Sequence, residues 1–200
     1  MQVAATTLQR PAYYPPVPEP PCSLATGRLP LRDKLKQLQK YIEAFEYNHT
    51  GKCYYSTKKF RGFAHVANVA QDIMREALPI QCVEATFLGA YLTCDLRDVE
   101  RYPLSFKSAL EGHEHRHIVL AVTSGGKWGA LGISRRDCLA YKELKYSSLG
   151  ALVAEFAAAY TSCWHQLQAI YLGLPLPRNP SCNAPIRWKV RSKLERAPQV

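Results

Sequence analysis

The chain has 200 residues, 47% hydrophobic and 21% charged, which is ordinary for a globular protein and long enough for one domain with a real core. Its 26 Lys+Arg against 16 Asp+Glu leave a net charge of +10, a surface that attracts polyanions, whether nucleic acid, anionic membrane or an acidic polypeptide. There is no block of about five like charges, no RNP or zinc-finger signature, no run near the ~18 apolar residues of a membrane span and no secretory leader pattern, so neither nucleic acid nor membrane is the expected partner.

In chain order, residues 1–30 carry Pro11, Pro15, Pro16, Pro18, Pro20, Pro21 and Pro30, a density that forbids a helix and predicts an extended arm. The folded core is expected over 31–192, with a short basic tail over 193–200. Leu35, Leu38, Ile42 and Phe45 share one helical face behind Asp33, read as an N-cap, and Asn48 to Gly51 ends that helix. The Asn48-His49-Thr50 sequon is read as a turn. Residues 52–57 read as a short strand or extended segment leading to Lys58-Lys59. A second helix is predicted from about Ala64 to Ala77, with Val66, Val69, Ile73 and Ala77 inward, broken by Pro79. A third follows Cys82, with Val83, Phe87, Leu88, Tyr91 and Leu92 as its apolar stripe. Residues 95–112 read as polar loop containing Pro103. Strands are expected at 115–123 and 127–134, joined by the hairpin turn Ser124-Gly125-Gly126. A helix over 148–165 takes Ser147 or Ser148 as its cap and turns Leu149, Leu152, Val153, Phe156 and Tyr160 inward. A strand at 166–172 follows, and 186–190 is a candidate last strand. Helices first, then a mostly antiparallel sheet, describe an α+β fold.

Seven cysteines at irregular spacing, with no Cys-x-x-Cys, argue against a disulfide scaffold or structural zinc and for a reducing, cytoplasmic compartment. Cys82 is the candidate nucleophile. Pro79 before it and a helical run after it place its sulfur at a helix N-terminus, where the dipole and free N–H groups favour a thiolate and a developing oxyanion. The competing reading is a buried structural cysteine, which Cys94, Cys138 and Cys163, within or beside apolar runs, retain. A cysteine nucleophile needs a base from elsewhere in the chain. His117, heading the apolar run Ile118-Val119-Leu120-Ala121-Val122, is that base. His113, His115 and His117 alternate and would share a strand face as metal ligands, but no further ligand cluster accompanies them, so no metal and no cofactor is expected. Ser134 reads either as a turn cap or as the third member that orients the imidazole. Arg135 and Arg136 are solvated surface charges or, beside a catalytic residue, a bidentate carboxylate clamp.

The segments Tyr47-Asn48-His49-Thr50-Gly51, Glu76-Ala77-Leu78-Pro79-Ile80-Gln81-Cys82, Tyr102-Pro103-Leu104-Ser105-Phe106-Lys107, Arg116-His117-Ile118-Val119-Leu120, Gly129-Ala130-Leu131-Gly132-Ile133-Ser134-Arg135-Arg136, and Ala158-Ala159-Tyr160 with Cys163-Trp164-His165 closely resemble the vasohibins. These are tubulin tyrosine carboxypeptidases of the transglutaminase-like cysteine protease superfamily. The resemblance spans roughly residues 35–170 in the same order. It implies a transglutaminase-like fold and removal of the C-terminal tyrosine from the acidic tail of α-tubulin, in a cytoplasmic, microtubule-associated setting. By the same resemblance Cys82, His117 and Ser134 match the catalytic positions. Tyr47 matches a tyrosine that helps hold the reacting carbonyl, Arg135 the arginine that reads the terminal carboxylate, and Lys58, Lys59, Lys107 and Arg116 the basic residues of the substrate groove.

Gln81 departs from the lysine that usually precedes the nucleophile, which shifts carboxylate recognition toward Arg135. A small vasohibin-binding-protein-like helical peptide is the implied partner, yet the proline-rich arm stands where the family has a helical region that helps bind it. Two rival functions keep the groove but change the outcome. One is an amide transferase using the same Cys–His pair, and the other a non-catalytic module that binds microtubules through acidic tails.

Overall fold

Antiparallel pairing from residue 100 onward builds the platform on which the helices pack. The computed structural model describes residues 16–21 and 29–190, so most of the expected arm and all of the basic tail lie outside the described residues. Strands β1 (Glu100–Leu110), β2 (His113–Ser124), β3 (Lys127–Leu131), β4 (Lys142–Tyr146) and β5 (Gln166–Leu172) form one sheet in the order β4-β3-β2-β1-β5. Every neighbouring pair is antiparallel. Helices α1 (Leu31–Glu43), α2 (Phe63–Glu76) and α3 (Cys82–Leu92) share a core with one face of the sheet, and α4 (Leu149–Ser162) packs on the other. The expected α+β class is the one observed.

The central strand shows why. Ile118, Leu120 and Val122 of β2 point into the core with α1–α3, while Val119 and Ala121 point into the core with α4. A strand buried on both faces reads as an unbroken apolar run rather than an alternation. The other half of β2, His113 to Arg116, is exposed, so His117 stands at the boundary between projecting ribbon and core. The hairpin after β2 closes through Gly125 and Gly126, whose φ of 54° and 72° suit the type I′ turn that matches strand twist.

Several expectations need correcting. Helix α1 starts at Leu31 behind Pro30, and Asp33 lies in its first turn rather than at the cap, where its charge still complements the dipole. Of the two readings of residues 52–57 the strand fails and the extended segment is left; an isolated parallel bridge joins Tyr47 to Ile80. The stretch read as polar loop contains β1, an interior strand. Pro103 is tolerated because it lies at the end of β5, where its carbonyl accepts the Gly173 N–H at 2.8 Å. Its ring covers Gly173, where an added Cβ would come within 2.9 Å of ring carbons. β4 was not anticipated, and 186–190 contributes only the isolated bridge Leu172–Val190. Cys138, expected beside an apolar run, is exposed.

Helix α3 also differs from its expected stripe. Glu84 through Ala90 are all buried, so it has no solvent face over that span. Gly89 lets it lie against the sheet, since a Cβ there would already stand 3.3 Å from Leu120 Cδ2. The far end of α3 is held by Arg101, the bulkiest fully buried side chain. Its guanidinium donates to the carbonyls of Ala90 (2.8 Å), Leu176 (3.1 Å) and Pro177 (2.6 Å), and sits 5.6 Å from the Phe63 ring centroid. Burial pulls its pKa down to about 10, which leaves it charged at neutral pH. Arg101→Met removes these donors from all three carbonyls. Its expected cost is about 3 kcal/mol or more, read as a lower urea midpoint with unchanged slope; an unshifted midpoint would show the clamp to be dispensable.

Candidate active site

Local backbone geometry brings Cys82 and Tyr47 together. Helix α2 stops at Ala77, which takes a left-handed conformation (φ 48°) while its N–H caps the Ile73 carbonyl. Ile80 then pairs with the segment after α1: Asn48 N–H donates to the Ile80 carbonyl (2.8 Å) and Ile80 N–H to the Glu46 carbonyl (3.1 Å). Asn48 itself is buried in an Asx turn, accepting from Thr50 N–H (2.9 Å) and donating to the Lys52 carbonyl (2.7 Å). The sequon is therefore a turn, as expected.

Gln81 is the N-cap of α3, in extended conformation and with no cap bond from its side chain. Glu84 lies three residues beyond that cap, the position of the returning acid in a capping box, and the backbone N–H groups of Glu84 and Gln81 favour its charged form. Burial pushes the Glu84 pKa up. Cys82 is the first residue of α3 and partly buried. Burial pushes its thiol pKa up. The backbone N–H groups of Ile118 and of Cys82 itself, together with the Lys59 charge, act in the opposite direction.

His117 is partly exposed to the cavity above Cys82, and its ring stacks on Phe106 (centroids 6.3 Å apart, planes at 18°). Its Nε2 lies 2.8 Å from the Leu139 carbonyl. A carbonyl only accepts, so Nε2 carries the hydrogen and Nδ1 is the basic nitrogen of the neutral ring. Leu139 ends a 3-10 turn, Asp137–Leu139, and its N–H donates to the Arg136 carbonyl at 2.9 Å. Ser134, expected to orient the imidazole, lines the same cavity, but its hydroxyl accepts the Arg136 N–H at 3.2 Å. The Leu139 carbonyl occupies the orienting position that sequence reasoning gave to Ser134. A backbone carbonyl has no residue-type signature, which is why it was missed.

Two cavities meet at Cys82 and His117, which line both. The first, about 370 Å³, is walled by Tyr47, Ser134, Arg135, Arg136, Tyr160 and His165. The Arg135 guanidinium stands 5.7 Å from the Tyr47 ring centroid. Burial is the main cause of the raised Tyr47 pKa. The second, about 340 Å³, is walled by Lys59, Lys107, Arg116, Tyr171 and Lys189. Glu114 pairs with Lys107 (2.7 Å) and Arg116 (2.8 Å), and these cations hold its carboxyl below the usual range. Lys59 is partly buried 5.5 Å from the Trp188 ring centroid, and burial lowers its pKa. Lys58 is exposed and, like Gln81, lines neither cavity. Lys189, which sequence reasoning passed over, sits 4.7 Å from the Tyr171 ring centroid. Its position directly after a buried Trp188 was the available signal. His165 was also missed as a wall residue; its Nδ1 is 3.0 Å from Ser108 Oγ. Among the described residues no three His, Cys, Asp or Glu side chains are grouped to hold a metal ion.

This site can support nucleophilic acyl chemistry: a thiol at a helix start, an imidazole with one nitrogen anchored, and donors around the space between them. Comparison with known proteins points the same way. A family model described as Vasohibin matches residues 3–196. Tubulinyl-Tyr carboxypeptidase 1 of Mus musculus is 41% identical over 175 residues, which cover 88% of this chain and 47% of the mouse protein. The chain thus spans about half the length of the curated relative it matches.

Burial pulls the His117 pKa down to about 4. A depressed folded-state pKa means that protonation favours the unfolded chain. The stabilising effect of the neutral ring is complete above the unfolded value near 6.5 and is lost as pH falls toward 4. Up to about 3 kcal/mol is lost over that window, measured by urea unfolding at successive pH values. His117→Gln should flatten the slope there by about one proton; an identical slope in both proteins would refute the buried neutral imidazole.

Proposed function

The chain belongs to the vasohibin family, and on that premise we propose that it is a cysteine carboxypeptidase that removes the C-terminal tyrosine, or another aromatic residue, from the acidic tail of α-tubulin. The observation that carries this reading is the pairing of two unlike cavities on one Cys–His pair: one holding Arg135 beside Tyr47, the other lined by Lys59, Lys107, Arg116 and Lys189. A peptide laid across them places its acidic stretch in the basic cavity and its last residue under Arg135, with the scissile carbonyl over Cys82.

In the resting site burial favours the neutral thiol and the neutral imidazole alike. The reaction therefore begins with transfer of the Cys82 proton to Nδ1 of His117, while Nε2 stays bound to Leu139. The resulting thiolate attacks the last peptide carbonyl. The Tyr47 hydroxyl and backbone N–H groups at the start of α3 stabilise the oxyanion. His117 gives its proton to the leaving amine, then takes one from the water that releases the acyl-enzyme. Arg135 pairs with the free carboxylate and thereby confines cleavage to the last bond. Ser134 acts one step back, by fixing the turn that carries Arg135. The microtubule is the expected site of action, and a short helical peptide the expected helper. The basic cavity also accelerates encounter with a tail of opposite charge.

Mass spectrometry of an α-tubulin tail peptide after incubation tests the proposal. The expected product lacks only the terminal tyrosine and does not form with Cys82→Ala. Arg135→Ala should lower kcat/KM by roughly 100-fold or more, the scale of a lost charge-assisted pair. A peptide left intact both alone and with the helical partner present would refute the proposal, and a product carrying an added amine would replace hydrolysis with amide transfer.

A further inference from the structure

Behind the catalytic histidine, two thiols outside the reaction face each other. Cys138 Sγ and Cys163 Sγ are 3.1 Å apart, roughly 1 Å beyond the ~2.05 Å of a disulfide bond. Cys138 is exposed in the middle of the 3-10 turn, and Cys163 is the partly buried C-cap of α4. The pair is built into the site's frame from both sides. The residue after Cys138 is Leu139, whose carbonyl holds His117. Cys163 N–H caps the Ala159 and Tyr160 carbonyls at 3.2 Å, and Tyr160 and His165 wall the first cavity.

We propose that Cys138 and Cys163 form a thiol modification site that closes to a reversible intramolecular disulfide in the presence of a glutathione-type disulfide, tying the turn behind His117 to the end of α4. Cys138, the more exposed thiol, loses its proton and attacks one sulfur of oxidised glutathione, expelling a glutathione thiolate. The Cys163 thiolate then attacks the Cys138 sulfur of the mixed disulfide and expels the second glutathione thiolate. The two protein thiols give up two protons and two electrons, and the glutathione disulfide takes up both electrons to become two thiols. Burial, then the hydrogen bond to Cys163, raise the Cys138 pKa, so exchange should quicken with rising pH. Oxidation replaces a close thiol–thiol contact with a cross-link spanning the β4–α4 segment, which constrains the unfolded chain.

The test needs no substrate. The full chain is equilibrated with mixtures of reduced and oxidised glutathione, acid-quenched, digested and mapped by mass spectrometry. The expected result is a cross-linked peptide pair joining Cys138 to Cys163, lighter by two hydrogens and reversed by dithiothreitol, with a raised Tm in the oxidised protein. Cys163→Ala should instead accumulate the glutathione adduct at Cys138, because no resolving thiol is present, and Cys138→Ser should show neither species nor the Tm rise. A persistent glutathione adduct on Cys138 in the wild-type chain, or a cross-link from Cys138 to any other cysteine, would overturn the assignment.

Discussion

The placement of the site depends on a helix with almost no solvent side. From Glu84 to Ala90 every residue of α3 is buried, so the helix is gripped by α1 and α2 on one side and by β2 on the other. Such a helix has little freedom to slide or rotate, since each shift would trade close packing for voids. Cys82, at its first residue, therefore has a fixed position against the sheet. Gly89 sets how near the helix comes to Leu120, and Arg101 fastens its far end to Leu176 and Pro177. A thiol on a loop would have to be ordered before it could react; here ordering is complete on folding.

His117 is held by a comparable logic from the opposite direction. Strand β2 is core below Ile118 and exposed above Arg116, and His117 is the residue at the crossing. The face of β2 that meets α1–α3 carries Ile118, which lines the second cavity with Cys82 and whose backbone N–H favours the thiolate. One residue earlier the imidazole is clamped between Phe106 and the Leu139 carbonyl. Burial favours the neutral form of both groups. That is a reasonable safeguard for a thiol in a chain with several free cysteines, because the thiolate, not the thiol, is the species that oxidants and metals attack.

How much of this was legible depended on which physical signal each part leaves. Cys82 and His117 were legible because a proline break before a helical run, and a histidine heading an apolar run, are statements about backbone position. The unbroken run Ile118 to Val122 marked a doubly buried strand. β1 was misread because Pro103 and its polar neighbours look like loop, although Tyr102, Leu104 and Phe106 alternate in the way a strand requires. The Leu139 carbonyl and the Ile118 N–H left no trace, since backbone groups belong to every residue and only the fold says where they point. Glu84 could have been found: an acid three residues beyond an N-cap is a capping-box signal, though with Gln81 rather than Ser or Thr at the cap it is an incomplete one.

The glutamine before Cys82 sharpens the question of how a carboxylate would be held. Sequence reasoning shifts more of that charge contact to Arg135, and the structure puts Arg136 in the same cavity wall. Both come from one turn whose shape is set from two directions. The buried Gln39 of α1 grips Gly132, accepting its N–H (3.0 Å) and donating to its carbonyl (2.7 Å). Ser134 then accepts the Arg136 N–H. Two adjacent guanidiniums on a rigid turn supply more planar donors than a lysine could, and a guanidinium matches a carboxylate in two bonds where an ammonium makes a point contact. With Gln81 at the start of α3, the cations of this cavity wall stand instead on a turn after β3 that is fastened to α1, so on the proposed reading a carboxylate would meet two guanidiniums held by Gln39 and Ser134.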